Sequence, residues 1–424
     1  MSDSRIPGFP RPSAPLAQPR IDNSPRTSAR ERWRFGLYAA HLITLFGIAL
    51  SNWLLGLAIL ASPWLAESPL QALRRGRRIW IPLLLYVAFL IVSVAASRDP
   101  RESYRSLTEL FTLAALPLAL ISISGERRLR WLFDASIVVA ALLALGGLAQ
   151  FLVGYGSIDR RIKGPFSHVM TFSGVLLLID LLLIARMVAP PRASPGPRRW
   201  LDRPLVAWGC LCVINAALIS TLTRNAWLGL LVGVGWLLWT LRRAWLLAAP
   251  AAIILLVLLA PVPVVARALS VTNLSDESTY DRLCMLQAGA RMVAEHPFVG
   301  LGPNMPERRY PIYRHPTASR LNVPHLHNSY LQLAAERGLP TLATFLALFG
   351  VALHAAWSDY RRREVADRSD LLQGTIAALL AFLVAALFEH NWGDTEVQRM
   401  ALLLLAAPFC LRSIGEPGAR TVGA

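Results

Sequence analysis

Two histidines separated by one residue stand in the segment Val323-Pro324-His325-Leu326-His327-Asn328-Ser329. Imidazole is the side chain best suited to moving a proton near neutral pH. Asn328 and Ser329 are good N-cap residues, so a short helix should begin there. It should stop at Gly338, a residue suited to a helix end, and Pro340 can open the next, membrane-spanning helix. His327 is thereby set at the positive end of a helix, in a basic neighbourhood, and both effects disfavour a protonated ring. A neutral imidazole can serve as a general base. The plain alternative is a histidine that caps a helix or fills a hydrogen bond. A third reading is zinc, with His315 or His168 adding ligands, but the spacing is not that of a zincin helix and no cysteine or carboxylate stands nearby in sequence.

The second chemical feature is arginine. Arg160, Arg161 and Lys163 precede His168 in one segment, and Arg224 lies within Ser220-Thr221-Leu222-Thr223-Arg224-Asn225. Arg267, Arg282, Arg291, Arg308, Arg309, Arg314 and Arg320 follow. A guanidinium is always charged and presents a planar donor fork that fits phosphate oxygens. Several of them converging predict an anionic ligand, a diphosphate among the candidates. The bland reading is solvated charge, or ion pairs with Asp276, Glu277, Asp281 and Glu307. Asp276 and Glu277 are too sparse to argue for a divalent-metal glycosyltransferase site. Arg224 stands apart, because its segment is too short to leave the membrane boundary, where an ionisable group faces a bundle interior or a cavity. Glu389, His390, Asn391 and Asp394 stand at a comparable edge and can line the same cavity, or form a plain polar loop. Asp180, inside an apolar stretch, should pair with a neighbouring helix.

These residues must be positioned by a membrane-embedded scaffold. Of the 424 residues 54% are hydrophobic and 16% charged, with a mean hydropathy of +0.45; soluble domains carry about 25% charged residues. Twelve apolar stretches lie near 36–50, 52–66, 79–96, 108–124, 131–153, 168–188, 204–221, 226–241, 245–264, 339–356, 371–389 and 397–411, and such stretches read as bilayer crossings. The first pair is taken as two short helices divided around Ser51 and Asn52, not one long helix from Gly36 to Leu65. Charge decides it: this count puts the basic N-terminal tail on the same side as Arg74, Arg75, Arg77, Arg78, as Arg127, Arg128, Arg130, as Arg192, Arg198, Arg199, as Arg242, Arg243 and as Arg361, Arg362, Arg363. Basic loops mark the cytoplasmic side, so both termini should be cytoplasmic. The net charge of +17 then needs no nucleic acid to explain it.

The expected organisation is a disordered cytoplasmic tail over 1–34, a membrane-embedded domain over 35–412 and a second cytoplasmic tail over 413–424. The outer segments are 97–107, 154–167, 222–225, 265–338 and 390–396. The long one exceeds an ordinary connection and should be functional. Within it Asp281 to Glu295 reads as a helix, with Leu283, Leu286, Ala290 and Val293 at helical spacing. Cys284 is placed alone in a loop, and the four cysteines form no disulfide framework.

At these residues the sequence resembles the O-antigen ligase family, within the larger group of O-antigen ligases and polymerases. The ligases' histidine motif is His, then Asn, Ser or Gln, nine residues, Gly, two residues, then Gly, Thr or Tyr. Here His327, Asn328, Gly338 and Thr341 match each position. The segment from Glu295 to Pro303 is similar to a His-Pro-hydrophobic-x-Gly-x-Gly stretch, Gly164-Pro165-Phe166-Ser167-His168 to a Gly-x-Phe-x-His element, and Thr223-Arg224 to a Ser/Thr-Arg element. The resemblance covers roughly 35–412. It implies an all-α fold of the C-type glycosyltransferase group, with about twelve transmembrane helices and a long periplasmic loop between the ninth and tenth.

It further implies an inverting, metal-independent transferase of the bacterial inner membrane, without a cofactor. A glycan would pass from undecaprenyl diphosphate to a sugar hydroxyl of the lipid A core, on the periplasmic face. His327 would be the essential histidine and Arg224 an essential arginine. Arg282 is the better match to a further arginine by order alone, and spacing also permits Arg291. In the resulting scheme His327 takes the acceptor's proton, while Arg224, Arg282, Arg161 and Lys163 stabilise the diphosphate leaving group. His168, Arg291, His325 and Asn328 join them as candidate substrate-binding residues. Membrane lipids are the remaining expected partners. Rival readings are an O-antigen polymerase of the same group, a variant that glycosylates a protein, and a transporter of an anionic lipid-linked substrate. Transport would predict polar groups deep in several spans and inverted repeats; the singled-out residues gather at one face.

Overall fold

The computed structural model describes residues 28–65, 74–157, 160–189, 200–248, 265, 277–362 and 369–412. Residues 1–27, most of the expected span 245–264, and Asp159, Arg192, Arg198, Arg199, Arg267, Asp276, Arg363 and 413–424 lie outside the described residues. Among those described, all regular structure is helical.

Thirteen helices organise the described chain: α1 (Ala29–Ile43), α2 (Ile48–Leu65), α3 (Arg77–Ala95), α4 (Pro100–Ser122, broken by a 3-10 turn), α5 (Glu126–Ala149), α6 (Val169–Val188), α7 (Pro204–Ser220), α8 (Arg224–Leu241), α9 (Glu277–Glu295), α10 (Met305–Tyr313), α11 (Ser329–Arg361), α12 (Ser369–Ala385) and α13 (Thr395–Cys410). By length and apolarity α2, α3, α4, α5, α6 and α11 can each cross a membrane, while α7 and α12 are shorter apolar helices. This is the make-up of a multi-pass membrane protein. Helix α6 is buried on nearly all sides, as a helix apolar all round must be when it fills a bundle centre. Helices α8 and α12 flank it, α11 lies along α3, and α13 packs on the second half of α4.

Several polar residues within the bundle are paired across helices. Asn215 on α7 donates to both carboxylate oxygens of Asp180 at 3.1 and 3.0 Å, the interhelical pairing its sequence position called for. The first helical hairpin differs from expectation. Its break falls at Thr44–Gly47, and Ser51 and Asn52 sit inside α2. There they accept hydrogen bonds from the buried Arg399 of α13 at 2.9 and 2.5 Å. These two residues hold a buried charge and do not divide two helices.

Helix α9 also corrects the sequence reading. Cys284 lies on it, buried, and not in a loop. The face turned inward carries Cys284, Met285, Ala288 and Met292, while Leu283 and Leu286 are exposed. Both sets repeat at helical spacing, so periodicity alone could not choose between them. The cluster formed with Leu301, Met305, Tyr310, Val323 and Leu326 makes a small second core over the end of the bundle.

That core is locked to α11 by a crossing of two glycine-containing segments. Gly338 has φ +82° and ψ 168°, which breaks α11 into two helical pieces. A break leaves carbonyls without their helical donors. Here the chain from Pro297 to Gly302 supplies donors: Leu301 N–H to Ala335 O at 2.8 Å and Gly302 N–H to Glu336 O at 2.9 Å. In return Leu339 N–H donates to Pro297 O at 2.7 Å. A β-carbon on Gly338 would lie 2.1 Å from Phe298 O, and one on Gly300 would lie 2.2 Å from the Glu336 carbonyl carbon. Neither backbone can admit a side chain, and both glycines have positive φ. Gly338→Ala and Gly300→Ala should each cost more than about 2 kcal/mol through strain and clash. Thermal unfolding in detergent checks this, and unfolding at the wild-type temperature would refute it.

Candidate functional site

The end of α11 that begins at Ser329 carries the histidines. Asn328 caps it, its Oδ1 accepting from Leu331 N–H at 2.9 Å, while its Nδ2 donates to Leu387 O at 2.9 Å. Ser329 N–H donates to Ala386 O at 2.8 Å and its hydroxyl to Glu389 O at 3.0 Å. The motif residues Asn328 and Ser329 therefore tie the histidine segment to the chain that follows α12. The tie brings the buried Glu389 carboxylate onto His327, with Nδ1 at 2.9 and 3.0 Å from its two oxygens. From the sequence, Glu389 was at most part of a cavity lining, and the surroundings of His327 were read as basic. The structure puts a carboxylate on its ring. An Nδ1–H held this way leaves Nε2 as the proton-accepting nitrogen. His327 also has φ +50°, a conformation uncommon for a residue with a side chain.

His327 lines a cavity of about 180 Å³ together with Arg161, Arg282, Arg320, Asp281, Met170 and Met285. Arg161 comes from the segment before α6. That segment is pinned by Gln150, whose Oε1 accepts from Lys163 N–H and Gly164 N–H and whose Nε2 donates to Gly164 O at 2.7 Å. Phe166 stacks on Phe172 beneath it. Arg282 extends from α9, with Nη2 3.9 Å from Glu389. Arg320 is held by Asp281 at 3.0 Å. Of the residues singled out in the sequence, His327, Arg161, Arg282 and Arg320 thus meet around one cavity. Arg291 is exposed elsewhere on α9, so of the two candidates on that helix it is Arg282 that faces the histidine. Lys163 donates to Ser167 O, and His168 is exposed at the start of α6. Arg224 opens α8 behind Thr223 and does not line this cavity.

His325 stands on the other side. It lines a polar cavity of about 390 Å³ with Glu109, Glu336, Arg337, His390 and Trp392. Here the sequence reading was blind, because Tyr86 and Glu109 lie far from the motif along the chain. Arg337 reaches Glu109 and the Tyr86 hydroxyl at 2.6 Å each. Tyr86 OH donates to Glu109 at 2.8 Å and accepts from Trp392 Nε1 at 2.8 Å. Gln332 donates to Glu336 at 2.9 Å and accepts from Leu326 N–H at 2.8 Å. The one signal available was a Glu336–Arg337 pair inside the histidine motif, charges that a helix entering a membrane carries only with partners.

Burial holds the His325 and His390 rings down at about 4, below their ordinary 6.5. His327 N–H donates to His325 Nδ1 at 3.3 Å, which suits a neutral ring there, so the 3.5 Å approach of that nitrogen to Glu389 is not an ion pair. Burial alone would raise the Glu389 carboxyl, but the hydrogen bond from His327 and the neighbouring imidazoles bring it down to about 2. Asp394 is pushed up to about 7 by burial, against a hydrogen bond from Thr171. His325, His327 and Glu389 each offer a ligand atom within 4.8 Å of one another, which is close enough to share a metal ion. Such an ion would displace the His327–Glu389 hydrogen bond and sit beside the Arg282 guanidinium, two features that oppose a dication.

Residues 208–346 match the family model described as O-antigen ligase. The match takes in Arg224, Arg282, Arg291, His325, His327 and Asn328, and leaves Arg161, Lys163, His168 and Glu389 outside. No curated protein matches the chain.

The two depressed imidazoles give a pH dependence of stability. Folding favours their neutral forms, so their contribution is complete above about pH 6.5 and is lost as pH falls towards 4. Asp394 titrates in the same window with the opposite sign, so the informative quantity is a difference. The melting-temperature advantage of wild type over His325→Asn/His390→Asn should shrink between pH 6.5 and 4. An advantage that stays constant across that range would refute the neutral pair.

Proposed function

Residues 208–346 match the O-antigen ligase family model, and from that match we propose that this multi-pass membrane protein transfers a glycan from undecaprenyl diphosphate to a sugar hydroxyl of the lipid A core. The reaction takes place at the bundle end that carries the histidines, on the periplasmic face of the inner membrane. The observation that carries this reading is the His327–Glu389 pair beside Arg161 and Arg282. It sets a proton acceptor and two fixed cations around one small cavity.

In this reading Glu389 fixes the tautomer of His327 and stabilises the imidazolium as it forms. Nε2 of His327 takes the proton of the acceptor hydroxyl as the oxygen attacks the anomeric carbon, and the anomeric bond to the diphosphate breaks with inversion. Negative charge grows on the departing lipid diphosphate. Arg282 and Arg161 stabilise it, with Arg224 and Lys163 contributing from α8 and the segment before α6. Preorganised charge of this kind is most effective where the transition state develops it, and here guanidinium groups do work that elsewhere falls to a divalent cation. Asn328 serves by holding the histidine segment to Glu389.

The test is glycan transfer by purified protein from an undecaprenyl-diphosphate-linked donor to lipid A core, in EDTA. Transfer should survive the chelator. His327→Ala should lose about 10²–10⁴-fold in rate, and Arg224→Ala about 10²–10³-fold. Glu389→Gln, which keeps the volume but can hold the wrong tautomer, should lose at least about 10²-fold. Wild-type turnover in His327→Ala would sink the assignment. Elongation of the lipid-linked glycan without transfer to core would make the chain a polymerase of the same group, and absence of both reactions would favour transport.

A further inference from the structure

A strongly basic cavity lies at the opposite end of the bundle. It measures about 830 Å³, a size typical of ligand sites. Arg74, Arg75, Arg77 and Arg78 line it from the segment that opens α3. Arg362, just past α11, and Arg412, just past α13, line it from two other directions, with His354 and Ser358 between them. Helix α3 joins the two ends. Ser93 near its C-terminus donates to Val299 O and Glu336 O beside the histidine site, while Arg77 at its start is about 25 Å away at 1.5 Å per residue.

The positive-inside tendency accounts for arginines on one face. It does not account for six of them converging on one cavity whose lining, among the described residues, includes no carboxylate. Asp359 binds Arg412 at 2.9 and 3.2 Å, and Glu31, itself paired with Arg128, lies close enough to act on Arg75. The α3 terminus adds to the imbalance. Its first turn holds Arg77 and Arg78 and no acidic residue, and its Gly76 cap supplies no side-chain acceptor. A helix N-terminus is itself positive and carries N–H groups without partners. An anion seated here would satisfy the guanidinium groups and the helix end together.

The surrounding aromatics set the level of the cavity in the membrane. Trp357 and Tyr360 stand on the same turns of α11 as His354 and Ser358, just before Arg362, stacked with 5.6 Å between ring centres, and Trp236 packs on Trp357 at 5.5 Å. Trp239 and Trp245 are exposed nearby on the chain that ends α8. Tryptophan and tyrosine collect where lipid headgroups meet hydrocarbon. We propose that this cavity binds the phosphate headgroup of an anionic membrane phospholipid, as a site separate from the histidine site and on the opposite face.

The experiment uses the full chain in detergent with added lipid, read by native mass spectrometry. Phosphatidylglycerol should be retained in preference to phosphatidylcholine. Arg75→Gln/Arg78→Gln should weaken phosphatidylglycerol binding roughly ten- to thirty-fold, from the usual worth of two basic residues near an anionic headgroup. Arg127→Gln/Arg243→Gln removes the same charge from exposed positions at the same end of the bundle and should leave retention within about twofold. Equal loss in the two double variants would overturn the proposal. A photoactivatable phosphatidylglycerol on the wild-type chain tests it without any substitution. Labelling within 74–78 or 354–362 supports the site, and labelling confined to other segments overturns it. Displacement of bound lipid by millimolar phosphatidylcholine as readily as by phosphatidylglycerol, or binding of inorganic pyrophosphate to this cavity with no lipid preference, would overturn it as well.

Discussion

Where α11 breaks at Gly338, the carbonyls of Ala335 and Glu336 lose their helical donors, and from the bundle the Ser93 hydroxyl reaches Glu336 O. The Pro297–Gly302 segment brings its amides there. Much of the assembly at the histidine end of the bundle hangs on that exchange. It fixes the C-terminal end of α9, whose first turns carry Arg282, against the far end of the α11 piece whose start directly follows His327. It also draws in the chain after α3, since Arg98 N–H donates to Leu301 O at 3.3 Å and Ser103 to Pro303 O at 2.7 Å. The two glycine motifs are therefore two halves of one backbone contact, and their lack of side chains is a packing requirement.

The legible part of this protein was what repeats or caps. Apolar stretches announced the helices, Asn328 the start of α11, and Gly338 its interruption. Arginines that the membrane charge rule left unexplained pointed to the face where Arg161 and Arg282 meet His327. What could not be read were pairings between distant segments. Glu389 lies 62 residues from His327, and Tyr86 lies 251 residues from Arg337; no local pattern records either. The buried face of α9 was not legible because two apolar sets share its period, and only the second core decides which turns inward. Ser51 and Asn52 suggested a break because polar residues in an apolar run usually do. Arg399, from the far end of the chain, makes them an interior binding pair.

Charged groups inside the bundle share one arrangement. Arg130 meets Asp370 and Glu126, Arg337 meets Glu109, and Arg399 meets Ser51 and Asn52. Each guanidinium joins helices distant in sequence. An ion left without its partner in such surroundings is costly, so these contacts penalise alternative helix orders more than they add to stability. Specificity of assembly, where apolar faces alone are interchangeable, is a reasonable return for burying them.

The fixed count between Asn328 and Gly338 has a geometric meaning. The helical piece between cap and break rises about 1.5 Å and turns about 100° with each residue. Its length is thus a ruler between the imidazole at one end and the glycine crossing at the other, and its register is a dial. One residue more or fewer would swing His327 about a quarter-turn around the helix axis while α9, anchored at the crossing, stayed in place. Proton acceptor and guanidinium groups would then face different directions. The interval is constrained in phase as well as in distance, so the number of residues between its ends cannot change without turning the site apart.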